Sequence, residues 1–414
     1  MALHKKLALA AGLLSLFLVA CSHEATPAPN YGDQKDAAVY LGHPGSRPAG
    51  SWDEKAAAAY LDQRLAWWSE WVGATRDHQT FCISCHTAVP YALSRPALRK
   101  ALGEEESLSP NERKLVDNVI RRVRLGKDAG TFYNDQEDGP NKSAESRGTE
   151  SVLNALVLAS YDAQNGELGA DTRSAFDNMW ALQQTSGENK GAWSWLNFGL
   201  GPWESKDAEY YGAALAAVAV GYAPDSYRAN ANVQDRLKLL REYLGREYDT
   251  QSLHNRVVLL WASTKLPGLL EPAQQTSIIN EVLGRQRADG GWSLTPLVRT
   301  WGSWGLRSWA HMWLRNDKTL YEQTSDGYAT GLVVLTLEQT GISRKNLQVQ
   351  KGLSWLVRNQ STTDGLWPAY SLNQRRNPSS NIGRFMSDAA TAYAVLALTY
   401  QTDAQRREAE SMHQ

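Results

Sequence analysis

The chain is 414 residues long, with 43 Lys and Arg against 44 Asp and Glu and a formal net charge of −1. A balance this even, with no basic patch, excludes nucleic acid as an expected partner. The length suffices to bury a large core, as two domains or as one repeat-built domain, and internal similarity favours the second.

At the N-terminus, His4, Lys5 and Lys6 precede an apolar run from Leu7 to Ala20. It is too short to span a bilayer as a mature helix and has the layout of a secretory signal, so residues 1–20 are expected to be a leader. The run ends Leu18-Val19-Ala20-Cys21 and is followed by Ser22, which resembles a bacterial lipobox. The resemblance implies lipidation of Cys21 and, with Ser22 next, a periplasm-facing lipoprotein held on the outer membrane. A free cysteine in an uncleaved leader is the alternative. Residues 21–51 hold Pro27, Pro29, Pro44 and Pro48 among small and polar residues, and read as a lipid anchor and flexible tether.

Residues 52–105 read as an N-terminal helical segment. An alanine-rich helix is predicted over Asp53–Val72, with Trp67 and Trp71 on one face at i,i+4; they either cover a ligand or pack on the rest of the fold. It leads into Cys82-Ile83-Ser84-Cys85-His86. A C-x-x-C-H run can bind haem covalently, the thiols forming thioethers while the imidazole becomes an axial iron ligand. An exported compartment permits this chemistry and also permits disulfides. Haem c on Cys82, Cys85 and His86, with His86 as the metal ligand, is the expectation; a Cys82–Cys85 disulfide or a reduced pair beside an ordinary histidine is the alternative. No methionine follows within several dozen residues, as it would in a small cytochrome c domain, so the motif is expected inside a helical hairpin. Met179, Met312, Met386, His78, His254 and His311 are the candidates for a sixth ligand.

Residues 106–402 carry a repeat. Gln184 is followed by Gly191-Ala192-Trp193, Gln286 by Gly290-Gly291-Trp292, and Gln360 by Gly365-Leu366-Trp367. Each sits at the end of an amphipathic run, where glycine permits the tight turn, glutamine bonds exposed backbone groups and tryptophan covers the joint. Amphipathic runs near 111–124, 170–184, 231–245, 272–286 and 346–360 alternate with small-residue-rich apolar segments that begin near Glu150, Glu209, Ser252, Asp326 and Asp388. The pattern predicts stacked helical hairpins, outer helix against inner helix, each unable to bury its apolar face alone. No strand alternation is evident, and residues 403–414 are a polar tail.

The Q-x(3–6)-G-x-W spacing with alternating helices resembles the repeat of squalene–hopene cyclases and of protein prenyltransferase β-subunits, over about residues 110–400. The resemblance implies an all-α fold, an α/α toroid of about five to six concentric hairpins. It does not carry the activity. The cyclase Asp-x-Asp-Asp acid is missing, the nearest acidic cluster being Asp135-Gln136-Glu137-Asp138 in a Gly/Pro-flanked loop, and no cysteine follows Cys85 to complete a prenyltransferase zinc site.

Two further groups are candidates for a cavity. Trp301, Trp304 and Trp309 with His311 could line a pocket for an apolar ligand, or be core. Glu150, Asp207, Glu209, Asp326 and Asp388, at inner-helix starts, could ring a cavity mouth or simply complement the helix dipoles. The leading expectation is a lipid-anchored toroid with haem c, serving redox chemistry with a redox partner. The rivals are a haem-free toroid that binds or converts a terpenoid or other apolar small molecule, and a noncatalytic envelope scaffold.

Overall fold

The computed structural model describes residues 51–104, 107–298, 324–373 and 376–400. Twelve helices among them form six hairpins: α1 Glu54–Glu70, α2 Ala88–Ala101, α3 Pro110–Leu125, α4 Lys142–Asp162, α5 Ala170–Ala181, α6 Ala208–Tyr222, α7 Ala231–Glu247, α8 Leu253–Lys265, α9 Pro272–Gly284, α10 Gly327–Gln339, α11 Leu347–Asn359 and α12 Phe385–Thr399. The even-numbered helices pack on one another in sequence, and α12 packs back on α2, closing an inner ring. The odd-numbered helices lie outside it, so the fold is an all-α toroid as the alternation predicts. Cys82 and its neighbours belong to the first hairpin, and the only strands among the described residues, Thr75–Arg76 and Thr80–Phe81, form a small antiparallel ribbon there.

Composition explains the two layers. In α10 every residue from Gly327 to Glu338 is buried, and in α6 nearly all are. A helix apolar on all sides has no solvent face and belongs inside. Outer α3 instead buries one stripe that includes Leu115, Val119 and Val123. Local caps start the outer helices: Asp53 accepts from Ala56 N–H, Ser109 and Glu112 form a reciprocal box ahead of Pro110, and Asn346 accepts from Gln348 N–H and Val349 N–H. Among the described residues no helix is long and apolar enough to cross a membrane.

The Gln-Gly-Trp joints are inter-hairpin rivets. Gln286 Nε2 donates to Gly290 O in its own loop and to Gln348 O beside the start of the next outer helix, at 2.9 and 2.7 Å. Gln360 Nε2 repeats this with Gly365 O and Asp53 O, while Asp53 N–H donates to Gln360 Oε1, which ties the last repeat to the first. In the first joint the glutamine is Gln183 rather than Gln184: Gln183 Nε2 reaches Gly191 O and Arg236 O. The longer loop moves the clamp one residue back. The indoles of Trp193, Trp292 and Trp367, all fully buried, donate to Met179 O, Val282 O and Leu356 O of the helix just ended.

Gly365 shows why the motif needs glycine. Its φ is +73°, and a Cβ there would stand 2.5 Å from the carbonyl oxygen of Ala56 on α1. Gly365→Ala is expected to cost about 1–3 kcal/mol by overpacking and backbone strain. An unchanged urea midpoint for this variant would contradict the rivet.

Outer-to-inner alternation also fixes direction. Every inner helix runs the same way, so all six begin at one end of the ring. Below that end the axis is filled rather than open: the rings of Tyr211, His254, Tyr328 and Tyr393 pack against one another at centroid distances of 5.3–5.8 Å. Asn255 Oδ1 accepts from His254 Nδ1, leaving Nε2 to accept from Tyr328 OH at 2.9 Å. Burial holds His254 down at about 4, and therefore neutral.

Candidate active site

A cavity of about 970 Å³, including its open mouth, lies at the end where the inner helices begin. Trp68, Trp71, Tyr133, Phe198, Trp203 and Phe385 supply ring surfaces; His86, Glu204, Ser371, Asn373 and Arg376 supply polar groups. These residues come from the loops that precede α2, α4, α6 and α12 and from the end of α1, so no single stretch of sequence contains the site.

The loop before α6 places Glu204. Leu200 and Glu204 exchange backbone hydrogen bonds at 2.9 and 2.8 Å, and Gly199 at φ +70° turns the chain between Asn197 and that bridge. Asn373 clamps the loop from across the cavity, accepting from Gly201 N–H and donating Nδ2–H to Gly201 O. Trp203 Nε1 donates to Tyr328 OH at 3.1 Å, which seats the loop on the tyrosine plug. Burial pushes the Glu204 carboxyl up to about 7, against the opposing pull of Lys142 and Arg376. Glu204 is the only carboxylate lining the cavity among the described residues.

His86 is placed by its neighbours on all sides. Its ring stacks on Phe385 with centroids 4.0 Å apart and planes at 24°, and meets Trp68 edge-on at 4.8 Å. Nδ1 lies 2.8 Å from Thr87 Oγ1, whose hydroxyl donates to Asp388 Oδ2 at 2.6 Å. Asp388 also accepts from Tyr60 OH and from Arg64 Nε, both at 2.7 Å. Arg64 further donates to Asn381 Oδ1 and O, fixing the turn that carries Phe385. Burial, then Arg64 and Arg376, holds His86 well below the usual imidazole range, so it is neutral at pH 7.

The Cys-x-x-Cys-His segment does not have the geometry of a haem c attachment. Such a site needs both sulfurs at one porphyrin edge and the imidazole on that porphyrin's face. Here Cys82 and His86 border the cavity but Cys85 does not. Cys85 instead lies near Tyr211, Tyr328 and Tyr393 of the tyrosine plug. Both thiols are free and buried, Cys82 being pushed by burial up to about 12 and Cys85 well above its ordinary range. The serine between them has a local job: Ser84 Oγ accepts from Thr87 and Ala88 N–H and starts α2. Trp68 Nε1 pins Cys82 O at 2.7 Å. Among the described residues no three His, Cys, Asp or Glu side chains converge as a metal site.

The inner-helix carboxylates, Glu209 apart, are bound up in structure. Asp326 caps α10, accepting from Ala329 N–H at 2.8 Å and Leu294 N–H at 2.6 Å, and burial pushes it up to about 6. Asp388 pairs with Arg64, and Glu150 with Arg122. Asp207 accepts from Ser205 Oγ. Burial, reinforced by Glu145 and Glu188, pushes Glu209 up to about 7. None of the five lines the cavity. Among the sixth-ligand candidates, Met386 lines it, Met179 is fully buried and His78 is exposed in a positive-φ turn. Cys21, Trp301, Trp304, Trp309, His311 and Met312 lie outside the described residues. Sequence reasoning missed Glu204, Trp203, Phe198, Tyr133, Arg376 and Phe385; the available signal was that loop residues just ahead of inner helices must all gather at one end.

No protein-family model and no curated protein matches the chain. Solved structures that match include the α-1,6-mannanase GH76A of Salegentibacter sp. HEL1_6, at 11% identity and a TM-score of 0.48, covering 84% of this chain and 100% of that one. Another is a wild-type glycosidase, at 13% identity and a TM-score of 0.45, covering 84% and 97%. Both are glycosidases by name, not the terpenoid cyclases or prenyltransferases expected from the repeats. The haem c, metal-binding and redox expectation is corrected as well, on the motif geometry above; neither the apolar-ligand nor the scaffold rival is better supported.

Proposed function

We propose that the cavity is a saccharide-processing active site with Glu204 as general acid and His86 as proton acceptor. The observation that carries this reading is the pairing, in one cavity, of several aromatic ring surfaces with a carboxyl that titrates near neutral pH. Sugar rings stack their C–H faces on tryptophan while their hydroxyls need polar partners such as Asn373 and Ser371. A carboxyl near 7 is half protonated at neutral pH and can give its proton to a leaving glycosidic oxygen. The scheme balances as hydrolysis. Glu204 protonates the departing oxygen as the glycosidic C–O bond breaks, water forms the new C–O bond, and the water's proton goes to His86. With one carboxylate at the cavity, imidazole takes the part that a second carboxylate plays in paired-carboxylate glycosidases. Export and a lipid anchor at Cys21 remain part of the proposal, placing this site in the cell envelope.

Purified protein titrated calorimetrically with a panel of neutral and uronic-acid oligosaccharides, with reducing-end release followed in parallel, tests the reading. Binding to at least one class is expected, weakened tenfold or more in Trp203→Ala (roughly 1–3 kcal/mol for a lost ring contact). Absence of binding across the panel would sink it.

A further inference from the structure

We propose that the Asp388–Thr87 pair holds His86 in its Nδ1–H tautomer, so that Nε2 is presented to the cavity as the proton acceptor. This rests on the reading of the cavity as an active site, and it adds two residues that touch no ligand. The argument is one of donors and acceptors. Arg64 Nε and Tyr60 OH both donate to Asp388, and the Thr87 hydroxyl donates to it as well. A threonine hydroxyl has one proton. With that proton spent on Asp388, Thr87 Oγ1 can only accept from His86 Nδ1, 2.8 Å away. A neutral imidazole with hydrogen on Nδ1 carries its lone pair on Nε2. Among the described residues nothing hydrogen-bonds Nε2, and the ring borders the cavity.

The rest of the ring's surroundings hold that orientation. Phe385 covers one face and Trp68 meets the ring edge-on, so rotation about the Cβ–Cγ bond is blocked by aromatic contact as well as by the hydrogen bond. Thr87 is held by two further contacts of its own segment, through its backbone N–H to Ser84 Oγ and through its carbonyl to Tyr91 N–H. Thr87 and Asp388 are therefore positioning residues, acting through His86.

Long-range proton–nitrogen correlation spectra of ¹⁵N-labelled protein, recorded at a pH where His86 is neutral and assigned with His86→Gln, read the tautomer directly. The wild type is expected to show a pyrrole-type Nδ1 and a pyridine-type Nε2. Thr87→Val should move the signals toward the opposite tautomer, and Thr87→Ser should restore them. In turnover, Thr87→Val should lower kcat about tenfold or more with KM within about twofold, the pattern of a lost transition-state interaction. A wild-type spectrum with hydrogen on Nε2 overturns the proposal, as does an unshifted spectrum in folded Thr87→Val. If Thr87→Val does not fold, the wild-type spectrum alone decides. The spectra need no substrate, so a wrong tautomer defeats the relay alone, whereas the expected tautomer in an inert protein defeats the catalytic reading and leaves the relay standing.

Discussion

Replacing Arg122 with methionine is expected to lower the unfolding free energy by about 3–5 kcal/mol, the cost of leaving one member of a buried ion pair alone. Arg122 is among the largest fully buried side chains of the protein. Its guanidinium pairs with Glu150, donates to Thr80 Oγ1 and Gly130 O at 2.8 Å each, and lies 4.3 Å from the centre of the Phe132 ring. One side chain on outer α3 thereby fixes the middle of inner α4 and the loops that lead to Cys82 and to Tyr133. Methionine fills the volume but leaves the Glu150 carboxylate without its counter-charge. The double variant Arg122→Met, Glu150→Leu should recover most of the loss, since a buried pair replaced by apolar groups of similar size is often neutral. Urea unfolding of the single and double variants reads both effects. A double variant no more stable than Arg122→Met would show that the hydrogen bonds to Thr80 and Gly130, not the ion pair, dominate.

Glu204→Gln is expected to reduce turnover by about 10²–10⁴-fold while leaving saccharide binding largely intact, because the amide keeps the shape and loses the transferable proton. The pH dependence has a definite sign. Burial raises the Glu204 carboxyl to about 7, so the acid form is present below that value and vanishes above it. Wild-type kcat should therefore fall as pH rises through 7, and the variant's residual rate should not follow that limb. Stability follows the same group. A carboxyl titrating near 7 when folded and near about 4.3 when unfolded contributes fully below the unfolded value and loses that contribution as pH rises through the folded one. Between pH 4.5 and pH 8 the wild type should thus lose stability relative to Glu204→Gln. A kcat profile flat to pH 9, or a variant as active as the wild type, would remove Glu204 from the chemistry.

Much of the architecture was legible because it is written in local periodicity. The outer helices near 111–124, 231–245 and 346–360 end within a few residues of the observed Pro110–Leu125, Ala231–Glu247 and Leu347–Asn359. The amphipathic stripe and the Ser109, Asn230 and Asn346 caps are short-range signals. The Gly-x-Trp repeat was legible for the same reason, and its partner helix could be guessed from the need of each hairpin for a neighbour. The clamp at Gln183 was placed one residue late because adjacent glutamines are indistinguishable until the length of the loop from 184 to 191 is seen in space.

The candidate site was less legible. Cys82, Cys85 and His86 sit in a pattern whose chemistry depends on where three side chains point, and spacing does not encode that. Cys85 lies near Tyr211, Tyr328 and Tyr393, which come from helices more than a hundred residues away, and Phe385 stacks on the imidazole from the last of the described helices. Asp388 read more readily as a helix cap than as a cavity carboxylate; the Arg64 guanidinium across the ring closure made it a buried ion-pair partner. Glu204 attracted no notice because an isolated glutamate in a Gly/Pro loop is usually solvated, and only desolvation by the assembled cavity raises its pKa.

By itself the sequence determined the alternation of amphipathic and wholly apolar helices, and with it a toroid whose inner helices all start at one end, because hydrophobic period and capping act over a few residues. Only the tertiary structure decided which loop residues meet at that end and in what protonation state. Burial, stacking and hydrogen-bond direction depend on groups brought together across as many as 328 positions, as Tyr60 and Asp388 are.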